Sequence, residues 1–231
     1  MPHSRRWLER SAMLRLGSMA TLLFVLILSV FIAPVAVPPD SAAGQIVEDV
    51  LISLILLSGA IAVSDRRLAF IPLTLVAVVV IAVRWAGWFM PSGAAELRAV
   101  ALLFALLMLA LVIGAKVFGK GAQVRDRLWG AIALYMLLGV IWAAAYEIVN
   151  LRVPGAYTGM EGHASLAYPW VWIYFSFSTL TTVGYGDITP VARVARSLSN
   201  MEALIGQLYP AIVLARLVSL PVEDTRPDED G

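Results

Sequence analysis

The sequence TLTTVGYGD at residues 179–187 decides how this chain folds. It joins a short apolar run at residues 168–180 to a longer apolar run at residues 190–220. A helix needs about 20 apolar residues to cross the hydrocarbon core of a bilayer, so the run at 168–180 is too short to span it. A short apolar segment in this position predicts a re-entrant element, which is tolerated only where protein or a water-filled cavity surrounds it.

The composition of the whole chain is typical of an integral membrane protein. Of its 231 residues, 60% are hydrophobic and only 14% are charged. Soluble domains average about 45–50% apolar and about 25% charged residues, so this chain has too few charges to cover a soluble surface. A soluble enzyme and a nucleic-acid binder with basic patches are therefore excluded. The chain has no cysteine, which excludes disulfides, thiolate metal sites and cysteine nucleophiles.

Six apolar runs are long enough to span a bilayer as helices. Charged residues, proline or glycine bound each of them. They cover residues 17–37, 46–63, 68–90, 97–118, 128–149 and 190–220. Together with the re-entrant segment, these runs predict an all-α membrane protein with six transmembrane helices. Because six is an even number, the two ends of the chain are expected on the same side of the membrane.

The basic residues are divided unevenly between the two sides of the predicted membrane. Twelve of the 17 lie on one side: Arg5, Arg6, Arg10, Arg15, Arg66, Arg67, Lys116, Lys120, Arg125, Arg127, Arg216 and Arg226. The other five are Arg84, Arg98, Arg152, Arg193 and Arg196. The positive-inside rule therefore predicts a multi-pass protein of the cell membrane with both termini in the cytoplasm. An alternative interpretation takes the basic N-terminus, its apolar run and Ala33-Pro34-Val35-Ala36 as a cleaved signal peptide.

The motif at residues 179–187 resembles the potassium channel signature TxTTVGYGD residue for residue. The resemblance covers residues 128–220 and implies a pore domain of outer helix 128–149, pore helix 168–181, selectivity filter 182–186 and inner helix 190–220. The chain carries one copy of the motif, so the fourfold filter of the family implies a homotetramer. K+ is then the permeant ion, with membrane lipids as surroundings, no organic cofactor, no nucleic-acid partner and no enzymatic activity.

The rest of the chain divides into three further segments. Residues 1–16 form a basic cytoplasmic segment, and residues 17–118 form a four-helix transmembrane domain. Residues 221–231 form a short acidic cytoplasmic tail. The fourth span has Arg98 at its outer start and Lys116 near its inner end, with no charge between them. A voltage sensor requires several arginines within the membrane field, so we expect no sensor of the S4 type here.

The filter residues have a physical reason to recur. A dehydrated K+ ion exchanges its water shell for oxygen atoms of similar number and field strength. The carbonyl groups of Thr182, Val183, Gly184 and Tyr185, with the Thr182 hydroxyl, are the predicted ion ligands. Successive carbonyl groups point at one axis only if alternate residues adopt positive φ, which Gly184 and Gly186 do without a steric penalty. The side chains of Val183 and Tyr185 then point away from the axis and pack against pore helices.

Asp187 follows the filter at the outer mouth, where a ring of carboxylates concentrates cations. Many members of the family carry a tryptophan in the pore helix that bonds this aspartate. The matching position here is Tyr174, whose hydroxyl is expected to make the same bond at a different reach.

Glu202 is an unexpected acidic residue about twelve residues into the last apolar run. Ionisable groups within a membrane are candidates for function. One interpretation places Glu202 behind the filter, bonded to pore-helix hydroxyls such as Ser176, Ser178 or Thr179. The other pairs it with Arg196 or places it in a water-filled crevice. The sequence leaves both open.

The inner helix carries two candidate gating residues. Gly206 lies 20 residues after Gly186, at the position of the family's hinge glycine, and Pro210 removes a backbone donor four residues further on. The alternative for Gly206 is close helix packing. The residues expected to line the cavity below the filter, by helical spacing, are Gln207, Ala211 and Leu214.

We therefore expect a K+-selective channel without an S4-type sensor. The first alternative is a weakly selective or non-selective cation channel with the same filter sequence. A distant alternative reads residues 184–187 as the GxGD motif of intramembrane aspartyl proteases. That chemistry needs two facing aspartates, whereas Asp40, Asp49, Asp65 and Asp126 are predicted at span ends or in loops.

Overall fold

The computed structural model describes residues 19–38, 41–64, 67–88, 95–119, 124–159 and 169–218. The predicted N-terminal segment 1–16 and acidic tail 221–231 lie outside the described residues. Within them the fold is that of an all-α membrane protein, as the sequence predicts. The helices are α1 (Met19–Ala36), α2 (Ala42–Ala62), α3 (Arg67–Ala86), α4 (Ala95–Val117), α5 (Val124–Arg152), α6 (Pro169–Leu180) and α7 (Arg193–Val218). Two short antiparallel strands, β1 (Tyr157–Thr158) and β2 (Thr189–Pro190), flank α6.

Five helices among the described residues, α1 to α5, are long and apolar enough to cross a membrane. The last helix, α7, has 26 residues, about 39 Å at a rise of 1.5 Å per residue. Its charged residues are Arg193, Arg196, Glu202 and Arg216, and they make it more polar than the other long helices. The sixth span stays a prediction, which the length of α7 supports.

Local chemistry explains several helix boundaries that the apolar runs place differently. Helix α2 begins at Ala42 rather than at 46, because the Ser41 side chain caps it by accepting from the Gly44 amide at 3.0 Å. Helix α7 begins at Arg193 rather than at 190, because Pro190 pairs with Tyr157 in the small sheet.

The outer helix α5 is longer than the predicted 128–149, running from Val124 to Arg152. The charged residues expected to bound this helix lie inside it and have partners at its ends. Arg127 donates to the carbonyl of Gly119 at 2.8 Å, and Arg152 forms an ion pair with Glu96 at 2.6 Å. Long basic side chains reach the membrane surface from within a helix, so a charge does not by itself end it.

A π-helical turn interrupts α1 at Leu28–Ile32, directly before Ala33 and Pro34. Proline has no amide hydrogen and its ring clashes with the preceding helical turn. A wider π turn accommodates this without ending the helix. Next to the turn, the ring of Phe31 lies 6.3 Å from the ring of Phe177 on α6, so α1 contacts the re-entrant helix.

Helix α5 is the centre of the packing, since it contacts α4, α6 and α7. Its Tyr146 packs edge-on against Phe175 of α6, with ring centroids 4.8 Å apart. Tyr157 of β1 packs edge-on against Trp172 of α6 at 4.9 Å. All four side chains are buried. This aromatic cluster fixes the short helix α6 against the outer helix, and so positions the segment that follows α6.

The N-terminal part of α2 takes part in a half-buried ion-pair cluster that the sequence did not indicate. Arg84 of α3 lies 2.7 Å from Glu48 and 2.6 Å from Asp49, and Trp88 also donates to Asp49 at 2.9 Å. Asp49 was expected at a span end or in a loop, but it lies inside α2 and is buried. Because a membrane has no water to solvate Arg84, the two carboxylates compensate the only charge of α3 beyond its first residue.

Candidate functional site

The segment after α6 alternates in backbone conformation. Thr182, Gly184 and Gly186 have φ angles of 58°, 55° and 79°, and no other residue of this segment has a positive φ. Such alternation allows successive carbonyl groups to point to the same side of the chain, which an ordinary strand does not. The two glycines were expected in this conformation. Thr182 was not, because positive φ in a β-branched residue is strained, at a cost of about 1–3 kcal/mol.

The amide groups of this segment point back to the end of α6. The Thr182 amide donates to the Thr179 carbonyl at 2.9 Å, and the Gly184 amide donates to the Ser178 carbonyl at 3.1 Å. The Tyr185 amide lies 3.5 Å from the Ser178 hydroxyl. Among the described residues, no hydrogen bond ends on a carbonyl oxygen of residues 182–186. The amides of Thr182, Gly184 and Tyr185 are thus engaged by the protein, while the carbonyl oxygens remain available for a ligand.

Every residue from 181 to 187 is exposed in the single chain. Val183 is 54% exposed and Tyr185 is 71% exposed. The expectation that these two side chains pack against pore helices is met only in part, since the ring of Tyr185 stacks on that of Tyr174 with centroids 6.1 Å apart. Exposed apolar side chains on a rigid segment mark a surface that another molecule covers.

Three hydrogen bonds anchor the residues that follow the alternating segment. The Tyr174 hydroxyl donates to Asp187 Oδ2 at 2.7 Å, and Asp187 Oδ1 accepts from the Ile188 amide at 2.9 Å. Thr158 and Thr189 share a hydrogen bond of 2.8 Å across the small sheet. The Asp187 carboxylate is therefore held by α6 and by the backbone directly before β2.

Glu202 lies behind α6 and is fully buried. Its Oε1 is 2.5 Å from the Ser176 hydroxyl, which is one of the contacts expected from the sequence. Its Oε2 accepts a hydrogen bond from the Tyr146 hydroxyl of α5, a partner that sequence reasoning missed because it lies 56 residues away. Arg196, the alternative partner, donates instead to the Pro190 carbonyl at 3.2 Å.

Gly206 lies where α7 crosses the end of α6. A Cβ atom built on Gly206 would be 1.8 Å from the Leu180 carbonyl oxygen, so no larger residue fits without a backbone shift. This close approach corresponds to the packing alternative considered for the glycine. A hinge at Gly206 remains a prediction.

The remaining inner-helix candidates are exposed in the single chain: Gln207, Pro210, Ala211 and Leu214. Pro210 and Leu214 also line an apolar groove of about 400 Å³ between α5 and α7, together with Leu128, Ala131, Ile132, Tyr135, Tyr209 and Val213. Lining of a central cavity by Gln207, Ala211 and Leu214 stays a prediction.

The chemistry that the site offers a cation is that of main-chain oxygen atoms. No group of three or more His, Cys, Asp or Glu side chains among the described residues is arranged to hold a metal ion. Carbonyl oxygens are hard, uncharged ligands, which suit a cation that must bind and leave quickly. The arrangement therefore fits transport of an ion better than its permanent retention.

Comparison with known proteins places this segment in a family. A family model described as "Ion channel" matches residues 130–223. Protein LctB of Bacillus caldotenax is 33% identical over 96 residues, which are 40% of this chain and 71% of that protein.

Two potassium channels are similar over shorter shares of their length. The inward rectifier potassium channel Kirbac3.1 of Paramagnetospirillum magnetotacticum is 29% identical over 34% of this chain and 24% of its own. Two pore potassium channel c of Oryza sativa subsp. japonica is 35% identical over 37% of this chain and 17% of its own. With these relatives and the motif at 179–187, this chain belongs to the potassium channel family.

Proposed function

We propose that the protein is a homotetrameric channel that conducts K+ passively and selectively across the cell membrane. The observation that carries the proposal is the alternation of positive φ at Thr182, Gly184 and Gly186, with the Thr182 and Gly184 amides bonded to α6. Four such strands around one axis would present stacked rings of carbonyl oxygens, which replace the hydration shell of a K+ ion. The ion is the transported substrate and needs no cofactor.

The exposure of the filter supports assembly into a tetramer. One chain supplies one strand of carbonyl groups, and its Val183 and Tyr185 are uncovered in isolation. A closed ring of identical copies covers the same surface on every subunit. Cyclic fourfold symmetry supplies four strands, so the number of oxygens in each ring matches the needs of a dehydrated ion.

The orientation proposal rests on where basic residues meet helix ends. Lys116 donates to the Ala62 carbonyl at 2.6 Å, and Arg216 donates to the Phe118 carbonyl at 2.8 Å. These contacts join the last turns of α2, α4 and α7 at one end of the helices. Positive side chains at helix C-termini are favourable, and their accumulation marks the cytoplasmic side. On this basis we propose that both termini lie in the cytoplasm.

Residues 95–117 supply no charge ladder for a voltage sensor. In α4, the charged residues are Glu96, Arg98 and Lys116, near its two ends. The half-buried Arg84 of α3 is bonded to two carboxylates and does not add to such a ladder. Because steep voltage dependence needs several charges that cross the field, we propose that the channel opens without an S4-type sensor.

The structure offers little support for the protease alternative. A second aspartate would have to face Asp187, but Asp49, the buried aspartate of α2, is bonded to Arg84 and Trp88. Asp187 is itself held by Tyr174. The two aspartates thus have separate partners, whereas an aspartyl protease brings its two aspartates together to share a proton.

The proposed function is tested with the purified full chain in a planar bilayer that separates opposed K+ and Na+ gradients. We expect a reversal potential near the K+ equilibrium value and a conductance that varies little with voltage. A reversal potential near zero would instead assign the protein to the weakly selective channels. A sigmoidal conductance–voltage curve of several gating charges would contradict the proposal that no voltage sensor is present.

The hydrogen bond between Tyr174 and Asp187 leads to a second prediction. Tyr174→Phe removes a bond to a carboxylate, worth about 1 kcal/mol per subunit at this exposed site. The outer mouth should then rearrange more easily, so the mean open time in single-channel recordings falls several-fold. Tyr209→Phe is the matched control, because it removes a tyrosine bond to the Ala131 carbonyl at 2.7 Å, between α7 and α5. Equal open times in wild type and Tyr174→Phe would show that the bond does not support the filter.

A further inference from the structure

Three buried side chains from three different helices meet behind the filter. Tyr146 comes from α5, Ser176 from α6 and Glu202 from α7, and each is fully buried. The Tyr146 hydroxyl donates to Glu202 Oε2. The Ser176 hydroxyl oxygen lies 2.5 Å from Glu202 Oε1 and 2.7 Å from the carbonyl oxygen of Gly139 on α5. The group thus links all three helices of the pore domain by short polar contacts.

The hydrogen atoms available in this group favour one protonation state. A serine hydroxyl has a single hydrogen, yet Ser176 faces two oxygen acceptors, Gly139 O and Glu202 Oε1. If Glu202 is ionised, Ser176 satisfies one acceptor, and the other contact brings two oxygens together without a hydrogen. If Glu202 carries a proton, it donates to Ser176, Ser176 donates to Gly139, and Tyr146 donates to Oε2. Three hydrogens then make three hydrogen bonds.

The charges around Glu202 favour the same state. The groups that face it are hydroxyls: Tyr146 from α5 and Ser176 from α6, with Tyr135 and Tyr157 further off. No ion pair to Glu202 occurs among the residues that the structure describes, and Arg196, on the same helix, donates to Pro190. A buried carboxylate without a cation is strongly disfavoured, whereas a neutral carboxyl needs only its hydrogen bonds.

We propose that Glu202 holds its proton in the folded channel and that this neutral carboxyl, with Ser176 and Tyr146, forms a clamp that positions the filter. The connection to the filter runs along α6, because Ser178 lies two residues after Ser176. The Ser178 carbonyl accepts from the Gly184 amide, and its hydroxyl lies beside the Tyr185 amide. The positioning role rests on the proposed function, but the protonation state does not.

Infrared spectroscopy tests the protonation state directly. Wild-type protein and Glu202→Gln are reconstituted in the same vesicles at neutral pH, and their spectra are subtracted. We expect a carbonyl band of a protonated carboxylic acid that is present in wild type and missing in the variant. Carboxylate bands in the difference spectrum at neutral pH would overturn the proposal. This measurement needs no ion flux, so it stands even if the protein conducts no K+.

Flux measurements on three variants test the clamp. Glu202→Gln keeps a donor for Ser176 and an acceptor for Tyr146, so its K+/Na+ permeability ratio should stay within about twofold of wild type. Glu202→Leu and Tyr146→Phe remove bonds of the clamp and should lower that ratio by about fivefold or more. If Glu202→Leu fails to assemble, the permeability ratio of Tyr146→Phe tests the clamp, because this substitution removes a single oxygen atom.

The matched control is Tyr209→Phe, which removes a tyrosine hydroxyl bond between the same two helices, α5 and α7, away from Glu202. Its permeability ratio should equal that of wild type. A loss of selectivity in Tyr209→Phe as large as in Tyr146→Phe would assign the effect to general helix packing and overturn the clamp. A loss in Glu202→Gln as large as in Glu202→Leu would overturn the role of a neutral carboxyl. Absence of K+ flux in wild type would contradict the proposed function instead.

Discussion

Replacement of Gly184 by alanine is expected to abolish K+ flux while leaving the assembled channel intact. Gly184 has a φ of 55°, and a Cβ atom at this position meets nothing within 4 Å in the chain. The cost of the substitution is therefore conformational, at about 1–2 kcal/mol for each residue in the left-handed region. In the proposed tetramer four subunits share one pore, so the conducting arrangement loses about 4–8 kcal/mol relative to one in which the residue relaxes.

The experiment compares K+ flux into vesicles with the size of the purified assembly. Gly155→Ala is the matched control, because Gly155 has a φ of 75° and is also free of neighbours within 4 Å, but lies in the turn after α5. We expect Gly155→Ala to carry wild-type flux and Gly184→Ala to carry none, with equal assembly of both. Normal flux through Gly184→Ala would show that positive φ at this residue is not required for conduction.

Replacement of Gly206 by alanine is expected to lower the thermal stability of the channel, although alanine is the better helix former. In an open helix, Gly→Ala stabilises by about 1 kcal/mol. In α7 the added Cβ would lie 1.8 Å from the Leu180 carbonyl oxygen. The backbones of α6 and α7 must then separate, and overpacking of this kind costs about 1–3 kcal/mol in each subunit. Because Leu180 lies two residues before the filter, selectivity should fall as well.

Thermal unfolding separates the packing role of Gly206 from a hinge role. Gly114→Ala serves as the control, because a Cβ there would lie 3.6 Å from Leu134, an ordinary contact. We expect Gly114→Ala to unfold at or above the wild-type temperature and Gly206→Ala to unfold below it. If Gly206→Ala is as stable as Gly114→Ala but opens less often, the glycine acts as a gating hinge and the packing interpretation is contradicted.

The positive φ angles of Gly184 and Gly186 were predictable from the sequence because they depend on local backbone preference. TVGYG places glycine at positions that need positive φ, and the short run before it cannot span a bilayer. The all-α membrane fold was predictable for a similar reason, since hydrophobic runs and their bounding residues lie next to one another in the chain. The predicted helix bounds were less accurate, because some residues that set them have partners outside the apolar runs. These residues are Ser41, Arg127, Arg152 and Pro190.

Contacts between distant parts of the chain were predictable only where the residue types allowed few possible partners. Tyr174 was expected to reach Asp187 thirteen residues away, and the structure contains that bond. The sequence allows two sets of partners for Glu202, and the structure contains its bond to Ser176. Tyr146 was not considered, because an aromatic residue in an apolar helix gives no sign of the acid it bonds 56 residues later.

The sequence by itself determined that this chain is an α-helical membrane protein of the potassium channel family, because apolar length and a short motif are properties of consecutive residues. Only the tertiary structure decided how the segment at residues 182–186 and its neighbours are held. The partners of Glu202, the ion pair of Arg84 and the contact of Gly206 with Leu180 each join residues on different helices. Such pairs depend on which helix faces cross and at what distance, and neither composition nor spacing along the chain specifies that geometry.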